Sequence, residues 1–161
     1  MTHQLLNEEE LLIRNTVRDF SDSQLATCAS QLDETEEFPW ENMRAMAELG
    51  LLGLTIDEEL GGSGGTTRQL AVAAEEIARG CAATSTVYIA HLSLCTQYIN
   101  MFGSADQKSK YIPNLVSGEK IGAFALTEPG AGSDAAAIET TSLQTNGHFV
   151  INGTKTYISN A

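Results

Sequence analysis

The chain is short of basic residues, of cysteine and of long apolar runs, and each shortage narrows what it can be. Nine Lys and Arg stand against 21 Asp and Glu, a formal net charge of −12. A surface of that sign repels phosphate backbones and anionic headgroups, which argues against nucleic acid or an anionic membrane as partner. The three cysteines, Cys28, Cys81 and Cys95, are scattered and odd in number, and no C-x-x-C or His/Cys ligand spacing accompanies them. Neither a disulfide framework nor a metal site is expected; free thiols in a reducing compartment are. No apolar run approaches the roughly twenty residues that cross a bilayer. The first basic residues, Arg14 and Arg18, follow Glu8-Glu9-Glu10, unlike a secretory signal or an Arg-rich transit peptide. A cytoplasmic location is the simplest expectation, with the mitochondrial matrix after processing as the alternative.

What remains is ordinary for a soluble globular chain: 42% apolar and 19% charged residues over 161 positions. That length accommodates one domain, or one and part of another. The first two thirds read as helical. Asn7 with Glu10 forms a cap ahead of Ile13, Val17 and Phe20, which predicts a helix from about Glu8 to Ala29. Phe38-Pro39 begins a second, with Pro39 in its first turn, Trp40, Met43 and Met46 facing the core, and a stop at Gly50. Leu51-Leu52-Gly53-Leu54 then returns through the core. Gly61 to Gly65 lacks a following Lys and reads as a connector, not a P-loop.

Thr67 opens a third helix, ending at Arg79-Gly80. Its neighbours Glu75 and Glu76 do not share a helical face and are expected in solvent. Thr84 is a candidate cap for the next helix, whose stripe holds Val87, Tyr88, His91, Cys95, Tyr98 and Phe102 up to Gly103. No Ser, Cys or carboxylate stands at a meaningful spacing from His91, so a structural histidine is expected. Ser104 to Gln107 is a capping box, and the helix it opens should be bent or shortened by Pro113 before Ser117-Gly118.

At Glu119 the pattern changes. Ile121 to Leu126 reads as a buried strand that stops at a turn, Thr127-Glu128-Pro129-Gly130-Ala131-Gly132-Ser133-Asp134. Gly130 and Gly132 admit positive φ, backbone amides of such a turn can cradle an anion, and Thr127 and Ser133 add hydroxyls. Gly130 to Ala135 also fits G-x-G-x-x-A, a dinucleotide fingerprint. That reading fails downstream, because no crossover helix fits between Ala135 and Glu139 before strand-like runs resume. Those runs are Ile138 to Leu143, His148 to Asn152 and Thr154 to Ser159, with Asn146-Gly147 and Asn152-Gly153 as hairpin signals. On a strand, Tyr157 and Ser159 project from one face.

The segment A-F-A-L-T-E-P-G-A-G-S-D, preceded by Ser117-Gly118-Glu119-Lys120 and followed by Tyr157-Ile158-Ser159-Asn160, closely resembles the flavin-binding signature of the acyl-CoA dehydrogenase family. The resemblance runs from about Asn7 to Ala161. It implies an α+β chain, with an all-α helical domain over 1–118 and the first strands of an antiparallel β-barrel domain over 119–161. It further implies that Phe124, Leu126, Thr127, Gly132 and Ser133 contact FAD, that Ser133 also touches the acyl-CoA, and that Tyr157, Ile158 and Ser159 flank the flavin ring. Phe124, Tyr157 and Ser159 replace residues more frequent in the family, yet each keeps the ring or hydroxyl required.

The activity implied is oxidation of a fatty acyl-CoA thioester to the trans-2-enoyl-CoA, with an electron-transfer flavoprotein as acceptor and a homotetrameric full-length form. The alternatives are a flavin oxidase or monooxygenase on the same fold, or a catalytically inactive fragment that binds FAD or acyl-CoA. The family's catalytic glutamate lies after its barrel. This chain stops inside a strand signal and is expected to be truncated, with the base beyond Ala161, so no glutamate here is assigned that role.

Overall fold

The computed structural model describes residues 6–161. Helix α1 (Glu8–Phe20) opens with the foreseen capping box: Asn7 Oδ1 accepts from the Glu10 amide at 2.8 Å, and Glu10 Oε2 accepts from the Asn7 amide at 3.0 Å. The helix does not end near Ala29. A π-helical turn, Ser21–Leu25, carries it into α2 (Ala26–Thr35). At this bulge Ser21 Oγ donates to the Glu76 carbonyl at 2.7 Å, and Gly80 lies so close that a Cβ there would strike Ser21 Oγ. An extra residue in a turn of this kind re-aims one side chain without breaking the helix.

Helix α3 (Trp40–Glu48) has Pro39 as its N-cap, not in its first turn. Met43 and Met46 are buried as expected, whereas Trp40 is 48% exposed and stacks at a tilt on Phe38, 4.6 Å between centroids. A buried 3-10 turn, Leu51–Gly53, returns the chain through the core. Helix α4 (Thr67–Gly80) is started by a Thr66–Gln69 capping box. In α5 (Ala82–Ile89) the N-cap is Cys81, and Thr84 lies inside the helix with its hydroxyl accepting from Asn42 Nδ2 at 3.0 Å. A second π-helical turn, Ala90–Thr96, leads to α6 (Gln97–Phe102), and α7 (Ala105–Val116) runs through Pro113 without stopping. Helix α4 packs between α1 and α5. Leu25, Leu52, Ile56, Ile77, Leu92 and Ile112 have no exposed surface, so this layer buries a complete apolar core.

Glu76 corrects the sequence reading. Glu75 is exposed, but Glu76 is buried, with Arg18 Nε at 2.9 Å and Arg79 Nε at 3.0 Å from its carboxylate. Arg79 in turn pairs with Asp22 at 2.7 Å. The hydrogen bond from Arg18, with a further one from Arg79, keeps the Glu76 carboxyl below its ordinary range despite burial. A burial pattern set by α1 crossing α4 is not written in the spacing of two adjacent glutamates.

The remainder is sparse. Strands β1 (Thr141–Thr145) and β2 (His148–Asn152) pair antiparallel, with Thr145 opposite His148. The connecting Asn146 (φ 51°) and Gly147 (φ 80°) both take left-handed backbone, the geometry of a type I′ hairpin. The hairpin therefore sits where Asn-Gly placed it, although β1 begins at Thr141, not Ile138. Two other expected strands do not form. Ile121 to Leu126 joins no ladder and runs from half-buried at Ile121 to exposed at Leu126, and Thr154 to Ser159 is irregular, with a bend at Tyr157. A run becomes a strand only by pairing, and neither segment joins the two-stranded sheet. Asn152-Gly153 turns no second hairpin; Gly153 instead packs against Thr140. Every residue of β1 and β2 is exposed. Among the described residues no helix is long and apolar enough to cross a membrane, no cluster of metal-ligating side chains occurs, and Cys28, Cys81 and Cys95 are free.

Candidate functional site

The segment 121–134 leaves the helical layer through one buried histidine. His91 is fully buried in the second π-helical turn. Its Nδ1 accepts from the Gly122 amide at 2.9 Å, so the ring proton sits on Nε2, which donates to the Leu115 carbonyl at 3.1 Å. Burial pushes its pKa down to about 4, the Leu115 carbonyl opposing. This is the structural histidine the sequence implied. From the other side, Asn160 Nδ2 donates to the Gly122 and Val87 carbonyls, each at 3.0 Å. Gly122 thus has both backbone groups clamped, and a Cβ there would lie 2.6 Å from Cys95 Sγ.

Beyond the clamp, the chain runs outward over a surface rich in half-exposed aromatics. The Phe124 ring is 5.4 Å from that of Tyr98, which is itself 4.7 Å from Phe102. Tyr98 is 52% and Phe102 66% exposed, so the far end of the helical stripe is open apolar surface and not core. Leu126 is 43% exposed, and its carbonyl accepts from Lys155 Nζ at 2.7 Å. The Thr127 carbonyl accepts from the Thr156 amide at 2.9 Å. Residues 29 positions apart in sequence are therefore laid side by side, Leu126-Thr127 against Lys155-Thr156, with Tyr157, Ile158 and Ser159 next along the chain.

Tyr157 is the outlier of this surface. It is 94% exposed and has φ 57°. A bulky side chain in the left-handed region is an uncommon, strained arrangement. It also means that Tyr157 and Ser159 do not alternate along a strand, so the expectation that strand geometry aims them together is withdrawn. Ile158 is half-buried and Ser159 exposed.

The turn itself closes by reciprocal hydrogen bonds between Glu128 and Ala131, 3.0 and 3.1 Å. Gly130 and Gly132 do not take the positive φ their sequence allows; left-handed backbone appears instead at Tyr157 and Asn160. Open space surrounds both glycines: no heavy atom lies within 4 Å of where a Cβ would stand. Gly132 and Ser133 are exposed, and among the described residues their amides donate to no protein acceptor. No hydrogen bond joins Ser133 to Tyr157 or Ser159 among the described residues. Of the expected contact residues, Leu126 and Thr127 are fastened beside the segment leading into Tyr157, while Gly132 and Ser133 stand free at the tip.

Glu128 went unread in the sequence. It is 7% exposed, and its carboxylate accepts from the Thr140 hydroxyl, the Glu139 amide at 2.7 Å, Lys155 Nζ at 2.9 Å and the Thr140 amide at 3.0 Å. The Thr140 hydroxyl first, then the Glu139 amide and Lys155, hold its pKa down to about 2. The sequence signal was there in the acid before Pro129, but its partners lie on both sides of a hairpin whose closure had to be known first.

The chain carries a helical layer followed by a glycine-bearing turn and a hairpin. It belongs to the acyl-CoA dehydrogenase family: residues 7–119 match that family's N-terminal domain and residues 123–161 its middle domain. A short-chain-specific acyl-CoA dehydrogenase of Clostridium acetobutylicum is 42% identical over 96% of this chain and 41% of its own length. An NADH-dependent acryloyl-CoA reductase of Anaerotignum propionicum is 43% identical over 96% of this chain and 39% of its own. A crystal structure of acyl-CoA dehydrogenase complexed with FAD from Bacillus anthracis superposes with a TM-score of 0.91, at 37% identity, covering 99% of this chain and 28% of that one. The chain thus spans about two fifths of the curated relatives it matches.

Proposed function

We propose that this chain supplies the flavin-facing part of an FAD-dependent acyl-CoA dehydrogenase, which converts a fatty acyl-CoA thioester to its trans-2-enoyl-CoA. The observation that carries the reading is the pairing of Thr127 with Thr156, which lays a hydroxyl-bearing turn beside an exposed, strained tyrosine. The residues fit such a cofactor. Tyr157 and Leu126 offer exposed apolar surface for a flat ring, Thr127 and Ser159 bring hydroxyls, and the free Gly132 and Ser133 amides suit a phosphate. FAD bound there supplies a hydride acceptor for the substrate β-carbon.

The chain's own residues bind and orient. Phe124, Leu126 and Ile158 exclude water from one side of the ring, and Thr127 and Ser159 direct hydroxyl dipoles at it. Ser133 reaches both cofactor and acyl-CoA. The open surface of Tyr98, Phe102 and Phe124 takes the apolar part of the substrate. Glu76 and Glu128 are engaged in ion pairs on buried carboxylates, so neither serves as the base for the α-proton. An electron-transfer flavoprotein is the proposed acceptor, and a homotetramer the proposed assembly of the longer form.

The test is to load the purified chain with FAD, add a fatty acyl-CoA under anaerobic conditions and follow flavin absorbance. Uptake of FAD is expected. Bleaching and turnover with an electron acceptor would show the dehydrogenase chemistry within these residues. Uptake without bleaching would favour a binding fragment, and rapid reoxidation by air an oxidase. A colourless protein would overturn the cofactor assignment.

A further inference from the structure

One carboxylate fastens three separate stretches of the candidate site, and we propose that Glu128 is its positioning residue, setting Thr127 against Tyr157–Ser159 without exchanging a proton. The inference rests on the FAD reading given above. Thr140 and Glu139 lead into β1, Lys155 follows β2, and Glu128 sits in the turn between Thr127 and Ala131. Glu128 therefore grips both stems of the hairpin at once. Oε1 accepts from the Thr140 hydroxyl, the Thr140 amide and Lys155; Oε2 accepts from the Glu139 amide. No other acid of the turn region has its two oxygens so fully engaged, and a carboxylate in that state is unsuited to abstract a proton.

The grip reaches the ligand surface through the backbone. Lys155 also donates to the Leu126 carbonyl at 2.7 Å, and the Thr156 amide to that of Thr127 at 2.9 Å. Leu126, Thr127, Lys155 and Thr156 thereby form one unit whose anchor is the Glu128 carboxylate. Gly153 belongs to it as well, since a Cβ there would occupy the space of the Thr140 hydroxyl. The exposed hairpin has no core of its own. Without the carboxylate, the contacts of Lys155 with Leu126 and of Thr156 with Thr127 would hold only the stem that follows β2.

The experiment compares the full chain with Glu128→Gln, Lys155→Met and Thr140→Val. Three readouts are taken: FAD dissociation constant by flavin fluorescence, visible circular dichroism of the flavin at saturation, and thermal midpoint without FAD. Charge-assisted contacts of this kind correspond to about a tenfold change in binding. Glu128→Gln is expected to weaken FAD at least about tenfold and Lys155→Met several-fold, both with an altered flavin dichroism at saturation. Lys155→Met keeps the amide and hydroxyl contacts, so it reports even if Glu128→Gln does not fold. An unchanged dissociation constant and dichroism in folded variants would overturn the proposal, as would a lowered midpoint with an unchanged saturated spectrum, the mark of a merely structural role. If the unsubstituted chain takes up no FAD, the cofactor reading falls first and this inference with it.

Discussion

The helical layer and the β region place their apolar residues in opposite ways. In the first, Leu25, Leu52, Ile77 and Leu92 have no exposed surface. In the second, Leu143, Phe149 and Ile151 are 64%, 68% and 69% exposed. The helices are held by burial, which is non-directional and scales with area. The turn and hairpin are held by a few directional contacts, those of Glu128, Lys155, Thr156 and Asn160. Substitution should thus hurt stability in one region and ligand geometry in the other.

The largest expected effect tests that division. Leu52→Ala removes a fully buried side chain and should cost about 2–5 kcal/mol. Leu143→Ala should stay within about 0.5 kcal/mol. Urea unfolding followed by far-UV circular dichroism measures both, and comparable losses would erase the contrast. Next, Gly122→Ala strikes Cys95 where the regions join, and overpacking there should cost about 1–3 kcal/mol. A loss confined to the hairpin amides, with the helices unaffected, would mean the clamp does not couple the two.

Acid separates the regions by window. His91 titrates at about 4 when folded against an ordinary 6.5, so the unfolded chain binds its proton first. Stability should fall as pH drops from 6.5 towards about 4, and His91→Gln should flatten that limb of a pH series of urea midpoints. Glu128 titrates at about 2 against 4.5, so the stability it contributes is complete above 4.5 and is lost as pH falls towards about 2. A Glu128→Gln variant that keeps the lower limb would remove that residue from the account. The effect of Gly147→Ala should stay inside the hairpin. At φ 80° a side chain costs about 1–2 kcal/mol, paid locally. Hydrogen exchange should quicken across β1 and β2 while the helical amides keep their protection.

How far the sequence could be read follows the same division. Apart from the Thr84 cap and the Asn152-Gly153 hairpin, which did not form, local signals told the truth: the Asn7 and Ser104 caps and the Asn146-Gly147 turn depend on residues within a few positions of one another. Nonlocal ones did not. Glu76 read as solvated because its partner Arg18 lies 58 positions away, and Trp40 read as core because periodicity does not say what covers a face. Two strand-like runs, Ile121 to Leu126 and Thr154 to Ser159, were read as strands because their composition suits pairing, but pairing depends on partners that composition does not supply. In the candidate site the residue types of Thr127, Ser133, Tyr157 and Ser159 were legible from the motif. The positive φ of Tyr157 and the carboxylate that ties the turn to the hairpin were not, the second because its partners Glu139, Thr140 and Lys155 lie on both stems of the hairpin.

The central claim is that the turn at Thr127 and the segment through Tyr157 form one face for a flavin. Amide chemical shifts of the isotope-labelled chain, recorded while FAD is added, test it most directly. The account predicts saturable shifts at Phe124, Leu126, Thr127, Gly132 and Ser133 together with Tyr157, Ile158 and Ser159, and none along α1 or α4. Shifts confined to the helical layer, or no shifts at all, would contradict it.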